Sequence, residues 1–154
     1  MNYQQKVEAF LSKKIIAVAG VSRNPKTEVG NAIYKKIKSA GYTVYPINPS
    51  ADVVEGDKCY PNLKSTPQKA EAVLVTTNPE NSLQVVRECS EVGINLVWFH
   101  RSFGDGSYSK DAEDFCNTNG ITAITAGCPM MHIKDADFFH RIAKFFFKLS
   151  GKLK

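Results

Sequence analysis

Three times along this chain a helix-like stretch ends on a glycine and passes at once into an apolar run: Ala40-Gly41-Tyr42-Thr43-Val44, Val92-Gly93-Ile94-Asn95-Leu96 and Asn119-Gly120-Ile121-Thr122-Ala123. Glycine adopts the left-handed conformation that closes a helix, and the apolar residue after it packs back on the helix end. The strand-like runs are Ile15-Ile16-Ala17-Val18-Ala19, Val44-Tyr45-Pro46-Ile47, Ala72-Val73-Leu74-Val75-Thr76, Leu96-Val97-Trp98-Phe99 and Ala123-Ile124-Thr125. The first is apolar throughout, which is what a strand covered on both faces requires. Helix, glycine, strand in repetition implies successive βα units with right-handed crossovers. The expected fold is therefore a Rossmann-like α/β domain with a doubly wound, mostly parallel sheet of five to six strands. A short edge strand is expected near Lys58-Cys59-Tyr60.

Helix starts agree with that order. Asn78-Pro79-Glu80 reads as an N-cap, a proline at the first helical position and an acid in the first turn. Thr66-Pro67 repeats the signal, and Ser109 can cap the helix that carries Asp111, Glu113 and Asp114 near its positive end. With 154 residues and no Gly/Ser linker or low-complexity stretch, the chain reads as one domain. There is no run of 18 apolar residues, so stable membrane insertion is not expected. Residues 1–14 lack an apolar segment and a small-residue cleavage site, so they do not read as a signal peptide, and the expected compartment is the cytoplasm. Cys59, Cys89, Cys116 and Cys128 form no CxxC pair, which argues against a structural zinc or thioredoxin-like site.

The net charge of +5 is unevenly placed: residues 133–154 carry six basic residues and two acids, which leaves the body near neutral. No basic stripe with stacking aromatics runs along that body, so nucleic acid is not an expected partner. Residues 133–154 instead read as a basic amphipathic C-terminal helix and tail. Phe138, Ile142, Phe145, Phe146 and Leu149 fall on one face, and Asp137, Arg141, Lys144 and Lys148 fall on the other. Such a helix either packs on the sheet or docks on a partner.

In an open α/β sheet, ligands bind beyond the carboxyl ends of the strands, at the point where strand order reverses. The loop after the first strand is Gly20-Val21-Ser22-Arg23-Asn24-Pro25-Lys26-Thr27-Glu28, with a helix from about Val29. A glycine followed by a helix N-terminus suits phosphate. Against the dinucleotide pattern GxGxxG, however, Ser22 and Pro25 stand at the second and third glycines. The Ser22 hydroxyl can donate to a phosphate oxygen, and Arg23 and Lys26 add positive charge. After the second strand, Pro46-Ile47-Asn48-Pro49 holds neither the carboxylate that would grip an NAD ribose nor an arginine for an NADP phosphate.

Together, Gly20-Val21-Ser22-Arg23-Asn24-Pro25, Tyr45-Pro46-Ile47-Asn48-Pro49, Trp98-Phe99-His100-Arg101-Ser102-Phe103-Gly104-Asp105-Gly106-Ser107 and Gly127-Cys128-Pro129-Met130 resemble the stand-alone CoA-binding domain family. That family is related to the N-terminal domain of the succinyl-CoA synthetase alpha subunit. The resemblance runs from about Lys14 to Met131. It implies that the Gly20-to-Lys26 loop meets the CoA phosphates and that Asn48 and Pro49 border the adenosine end. It also implies that Thr76-Thr77-Asn78-Pro79 lines the groove and opens the next helix. Cys128-Pro129 is similar to an Asn-Cys-Pro segment of the synthetase domain, with Gly127 in place of the asparagine. The phosphohistidine and nucleotide-grasp domain of the synthetases have no counterpart in these residues, so the resemblance implies binding of CoA or an acyl-CoA without ligase chemistry.

Arg101 is a further candidate ligand contact, pairing with a phosphate or carboxylate. His100 is a candidate general base. Cys128 is a candidate for a mixed disulfide with CoA, while Cys128 and His132 supply too few ligands for zinc. Two alternatives stay open: an NAD(P)-binding enzyme or redox sensor on the same fold, and an interaction module acting through the C-terminal helix. A homo-oligomer or a partner protein is compatible with either.

Overall fold

A computed structural model of the protein describes residues 1–24 and 28–133. Helix α1 (Tyr3–Leu11) is followed by β1 (Ile15–Ala19), α2 (Val29–Ser39) and β2 (Thr43–Ile47). A small hairpin, β3 (Val53–Val54) and β4 (Asp57–Lys58), and a 3-10 turn (Leu63–Ser65) lead to β5 (Ala72–Val75). Then come α3 (Pro79–Val92), β6 (Leu96–Phe99), α4 (Lys110–Thr118), β7 (Thr122–Ile124) and a second 3-10 turn (Pro129–Met131).

The main sheet is parallel throughout, in the order β2-β1-β5-β6-β7. Taken as five successive parallel strands this is the 2-1-3-4-5 order, which reverses direction between β1 and β5. The chain is thus the α/β domain that the helix–glycine–strand repetition predicts. Alternate residues of each strand enter cores on opposite faces. Ile16, Val18, Leu74 and Trp98 pack with α1 and α2, and Ala17, Ala19, Val73, Val75 and Phe99 pack with α3 and α4. Burial on both faces is why these strands need no polar residue. Gly93 closes α3 in the left-handed conformation (φ 70°, ψ 36°), and Ile94 N–H then bonds Cys89 O at 2.8 Å.

Local details depart from the sequence reading. The strand expected at residues 58–60 is instead the antiparallel pairing of β4 with β3, plus a single bridge from Tyr60 to Ile47. Glu55 and Gly56 both take positive φ in that hairpin, the geometry of a tight two-residue turn. Thr66-Pro67 starts no helix; Asn62 caps the preceding 3-10 turn by accepting from Ser65 N. Asn78 and Ser109 occupy the cap positions of α3 and α4, but neither side chain makes a capping bond. Helix α1 was not anticipated. It begins with a capping box, Asn2 Oδ1 accepting from Gln5 N and Gln5 Oε1 accepting from Asn2 N, each at 2.9 Å. Phe10 anchors it edge-on to Trp98, with ring centroids 5.3 Å apart. The expected C-terminal helix, and with it Lys26 of the first loop, lies outside the described residues.

Candidate functional site

A cavity of about 550 Å³ opens at the carboxyl ends of β2, β1 and β5, on the reversal point of the sheet. Its floor comes from the strand ends: Ala19, Gly20 and Ser22 after β1, Ile47, Asn48 and Pro49 after β2, and Thr76, Thr77 and Asn78 after β5. One wall is α3, through Asn81, Gln84, Val85 and Glu88, with Pro61 and Leu63 beside it and Glu28 at the start of α2. This volume falls within the roughly 300–1,000 Å³ typical of small-molecule sites.

The first loop is pinned rather than loose. Gly20 N–H bonds Ile47 O at 3.0 Å, and Asn48 Nδ2 donates to Val21 O at 2.8 Å. Val21 itself is fully buried, so it fixes the loop and offers the cavity no side chain. Asn31, buried on α2, accepts from Ser22 N at 2.8 Å and donates to Ser22 O at 2.9 Å, so its amide pairs with both backbone groups of one residue. The same nitrogen donates to Glu55 Oε1 at 2.9 Å, which ties the loop to the β3–β4 turn. Ser22 Oγ accepts from Asn24 N at 3.1 Å, and among the described residues its own proton has no acceptor.

Two glycines make the close approaches. Gly20 takes φ +102°, and a Cβ there would sit 2.7 Å from Thr77 N and 2.8 Å from Thr76 C. A Cβ on Gly30 would sit 2.6 Å from Thr76 Oγ1 and 3.1 Å from Gly20 O. Gly30 thus brings the first turn of α2 against the β5 loop, the packing role that the third glycine plays in dinucleotide-binding turns. Helices α2 and α3 both begin at this end of the sheet, and neither spends a side chain on capping. Their positive ends favour anionic groups.

Of the sequence-derived candidates, Gly20, Ser22, Asn48, Pro49, Thr76, Thr77 and Asn78 meet in this one cavity. Pro79 follows as the first residue of α3, and Arg23 is exposed on the loop. Arg101 stands apart from the cavity. Its guanidinium bonds Asp105 at 3.1 Å and Gly104 O at 3.2 Å and lies 4.5 Å from the Tyr108 ring centroid. His100 and Cys128 do not line the cavity either; both are buried, Cys128 in the core that α1 and α2 cover. Burial also pushes the Cys59 and Cys89 thiols up, and that of Cys116 up to about 11. Among the described residues no three His, Cys, Asp or Glu side chains gather as a metal site. No helix among them is long and apolar enough to cross a membrane.

The sequence reading missed the α3 wall, although Asn81, Gln84, Val85 and Glu88 recur at the i, i+3, i+4, i+7 spacing of one helix face. It also missed Gly30, whose signal was a glycine inside a helical stretch. Nothing local marked Pro61 or Leu63.

A family model described as a CoA binding domain matches residues 14–134. The alpha subunit of an ADP-forming acetate–CoA ligase II from Pyrococcus furiosus is 30% identical over 129 residues, which covers 79% of this chain and 28% of that protein. The chain therefore spans little more than a quarter of the ligase subunit. A hypothetical protein from Pyrococcus horikoshii superposes with a TM-score of 0.77 at 27% identity, covering 88% of this chain and 92% of the other. A conserved hypothetical protein from Pyrococcus furiosus does so with a TM-score of 0.69 at 32% identity, covering 77% and 98%.

Proposed function

The chain belongs to the CoA binding domain family, and from that premise we propose that it holds coenzyme A, free or acylated, in the cavity at the ends of β1, β2 and β5 without turning it over. The observation that carries this reading is the pinned loop at the sheet's reversal point. Asn31 and Asn48 fix its backbone, Gly20 and Gly30 let it approach the β5 loop, and the Ser22 hydroxyl proton has no acceptor among the described residues. Those features fit a phosphate-bearing ligand: Ser22 would donate to a phosphate oxygen, Arg23 and Lys26 would lend charge, and the two helix N-termini would add to it. Asn48, Pro49, Thr76, Thr77 and Asn78 would border the remainder of the ligand.

The position after β2 supports CoA over a nicotinamide dinucleotide. Asn48 stands where a ribose-gripping carboxylate is expected, and its amide is already engaged by Val21 O and Ser50 N. The non-catalytic part of the reading is supported by His100 and Cys128 not being among the residues that line the cavity, because differential stabilisation of a transition state needs groups around the reacting atom. The four cysteines are buried thiols, in keeping with a reducing, cytoplasmic setting. Thermal unfolding with CoA, acetyl-CoA, NAD and NADP tests the proposal. CoA or its thioester should raise the melting temperature by mass action on the native state, and the dinucleotides should do so weakly or not at all. A larger shift with NAD than with CoA overturns the assignment. Thiol release from a panel of acyl-CoAs tests the second half, and turnover there would make the protein an enzyme.

A further inference from the structure

The β3–β4 hairpin is held on α2 by its two carboxylates. Asn31, Tyr34, Lys35 and Lys38 stand at i, i+3, i+4 and i+7, on one face of the helix. Asn31 Nδ2 and the Lys35 ammonium meet the Glu55 carboxylate at 2.9 and 3.5 Å. The Tyr34 hydroxyl and the Lys38 ammonium meet that of Asp57 at 2.7 and 2.6 Å. Glu55 holds its place at a backbone cost. Among the described residues it is the one non-glycine with positive φ, +50°, at the first position of a two-residue turn that favours asparagine or glycine. What glutamate adds there is reach. Its side chain is 13% exposed and carries an oxygen to Asn31, itself 1% exposed. Asn31 has two amide protons. One goes to Ser22 O and the other to Glu55, while the amide oxygen accepts from Ser22 N. Every polar atom of that side chain is thereby paired, and the amide is fixed in the one orientation that suits both Ser22 backbone groups. Without the Glu55 oxygen a buried amide proton loses its acceptor, and any turn of the amide to regain one loosens Ser22. Glu55 itself does not line the cavity.

We infer that Glu55 is a positioning residue for the binding loop: from the β3–β4 turn, outside the cavity, it holds the Asn31 amide and, through it, Ser22 in the arrangement that receives the ligand. The inference rests on the reading that the cavity holds CoA. Its mark is a separation of affinity from stability. Glu55→Gly removes the carboxylate but relieves the backbone at positive φ, so the variant should melt close to wild type. It should nevertheless weaken CoA in calorimetric titration by about three- to tenfold, because the ligand must then order the loop. Glu55→Gln keeps an oxygen for Asn31 and gives up only the ion pair to the exposed Lys35, which is worth little. It should restore affinity to within about twofold of wild type. A double-mutant cycle fixes the route. In an Asn31→Ala background, Glu55→Gly should change CoA affinity by less than about twofold, because the side chain that carries its effect is gone. Wild-type affinity in Glu55→Gly, a loss in Glu55→Gln as large as that in Glu55→Gly, or an equal loss with and without Asn31 overturns this inference alone. Failure of the wild-type chain to bind CoA overturns the reading on which it rests.

Discussion

Asn31→Ala isolates the device that holds the binding loop. The side chain is 1% exposed and makes three hydrogen bonds: from Ser22 N, to Ser22 O and to the Glu55 carboxylate. At about 1 kcal/mol for each neutral bond and somewhat more for the one to a carboxylate, truncation should remove about 3 kcal/mol of stability. For a domain of this size that is a fall of roughly 6–12 °C in melting temperature. The Ser22 backbone groups would then turn to water, the loop would gain freedom, and CoA would have to order it on binding. Affinity should fall with stability. Asn31→Asp sharpens the test. It still accepts from Ser22 N but sets an acceptor against Ser22 O and a second carboxylate against Glu55, so it should be worse than alanine at neutral pH and recover on acidification. Chemical denaturation and calorimetric titration of both variants supply the numbers. A stability within about 0.5 kcal/mol of wild type in Asn31→Ala, the range of an ordinary surface change, would refute the claim that this amide organises the loop.

Other expectations follow from the same geometry. Gly20→Ala forces a Cβ to 2.7 Å from Thr77 N at φ +102°, so it should cost more than about 1 kcal/mol by denaturant unfolding and abolish CoA binding. Asn78→Ala should cost well below the usual ~1 kcal/mol of a lost cap, because its side chain makes no capping bond, yet it should weaken CoA in titration because Asn78 lines the cavity. The Lys38 ammonium, and then the Tyr34 hydroxyl, hold the Asp57 carboxyl below the usual carboxylate range. A lowered acid stabilises above its unfolded value of about 4 and loses that contribution as pH falls through the folded value. Asp57→Asn should therefore lower the melting temperature slightly at pH 7, by a difference that shrinks as pH falls below about 4, as read in a pH series of melts.

The fold was legible because burial leaves a local trace. Strands covered on both faces need unbroken apolar runs, and Gly41, Gly93 and Gly120 each mark the passage from helix to strand. The floor of the site was legible for a related reason: once the strands are placed, their carboxyl ends follow, and Gly20, Asn48 and Thr76 stand there. The walls were not. Glu88 and Leu63 reach the cavity through tertiary packing, and Asn31 clamps Ser22 across nine residues by an amide that looks in sequence like any polar helical position. The cap at Asn78 shows the opposite failure, a correct position whose expected bond is absent. Helix α1 did carry its signal, Asn2 followed three residues on by Gln5, with Val7 and Phe10 on one face.

Hydrogen exchange with and without CoA tests the central claim most directly. Saturating CoA should slow exchange in residues 20–24 and 76–88, the loop after β1 and the β5–α3 segment, while residues 110–124 exchange as before; NAD at the same concentration should leave both patterns unchanged. Protection confined to residues 110–124, or equal protection by NAD, would contradict a CoA site at the reversal point of this sheet.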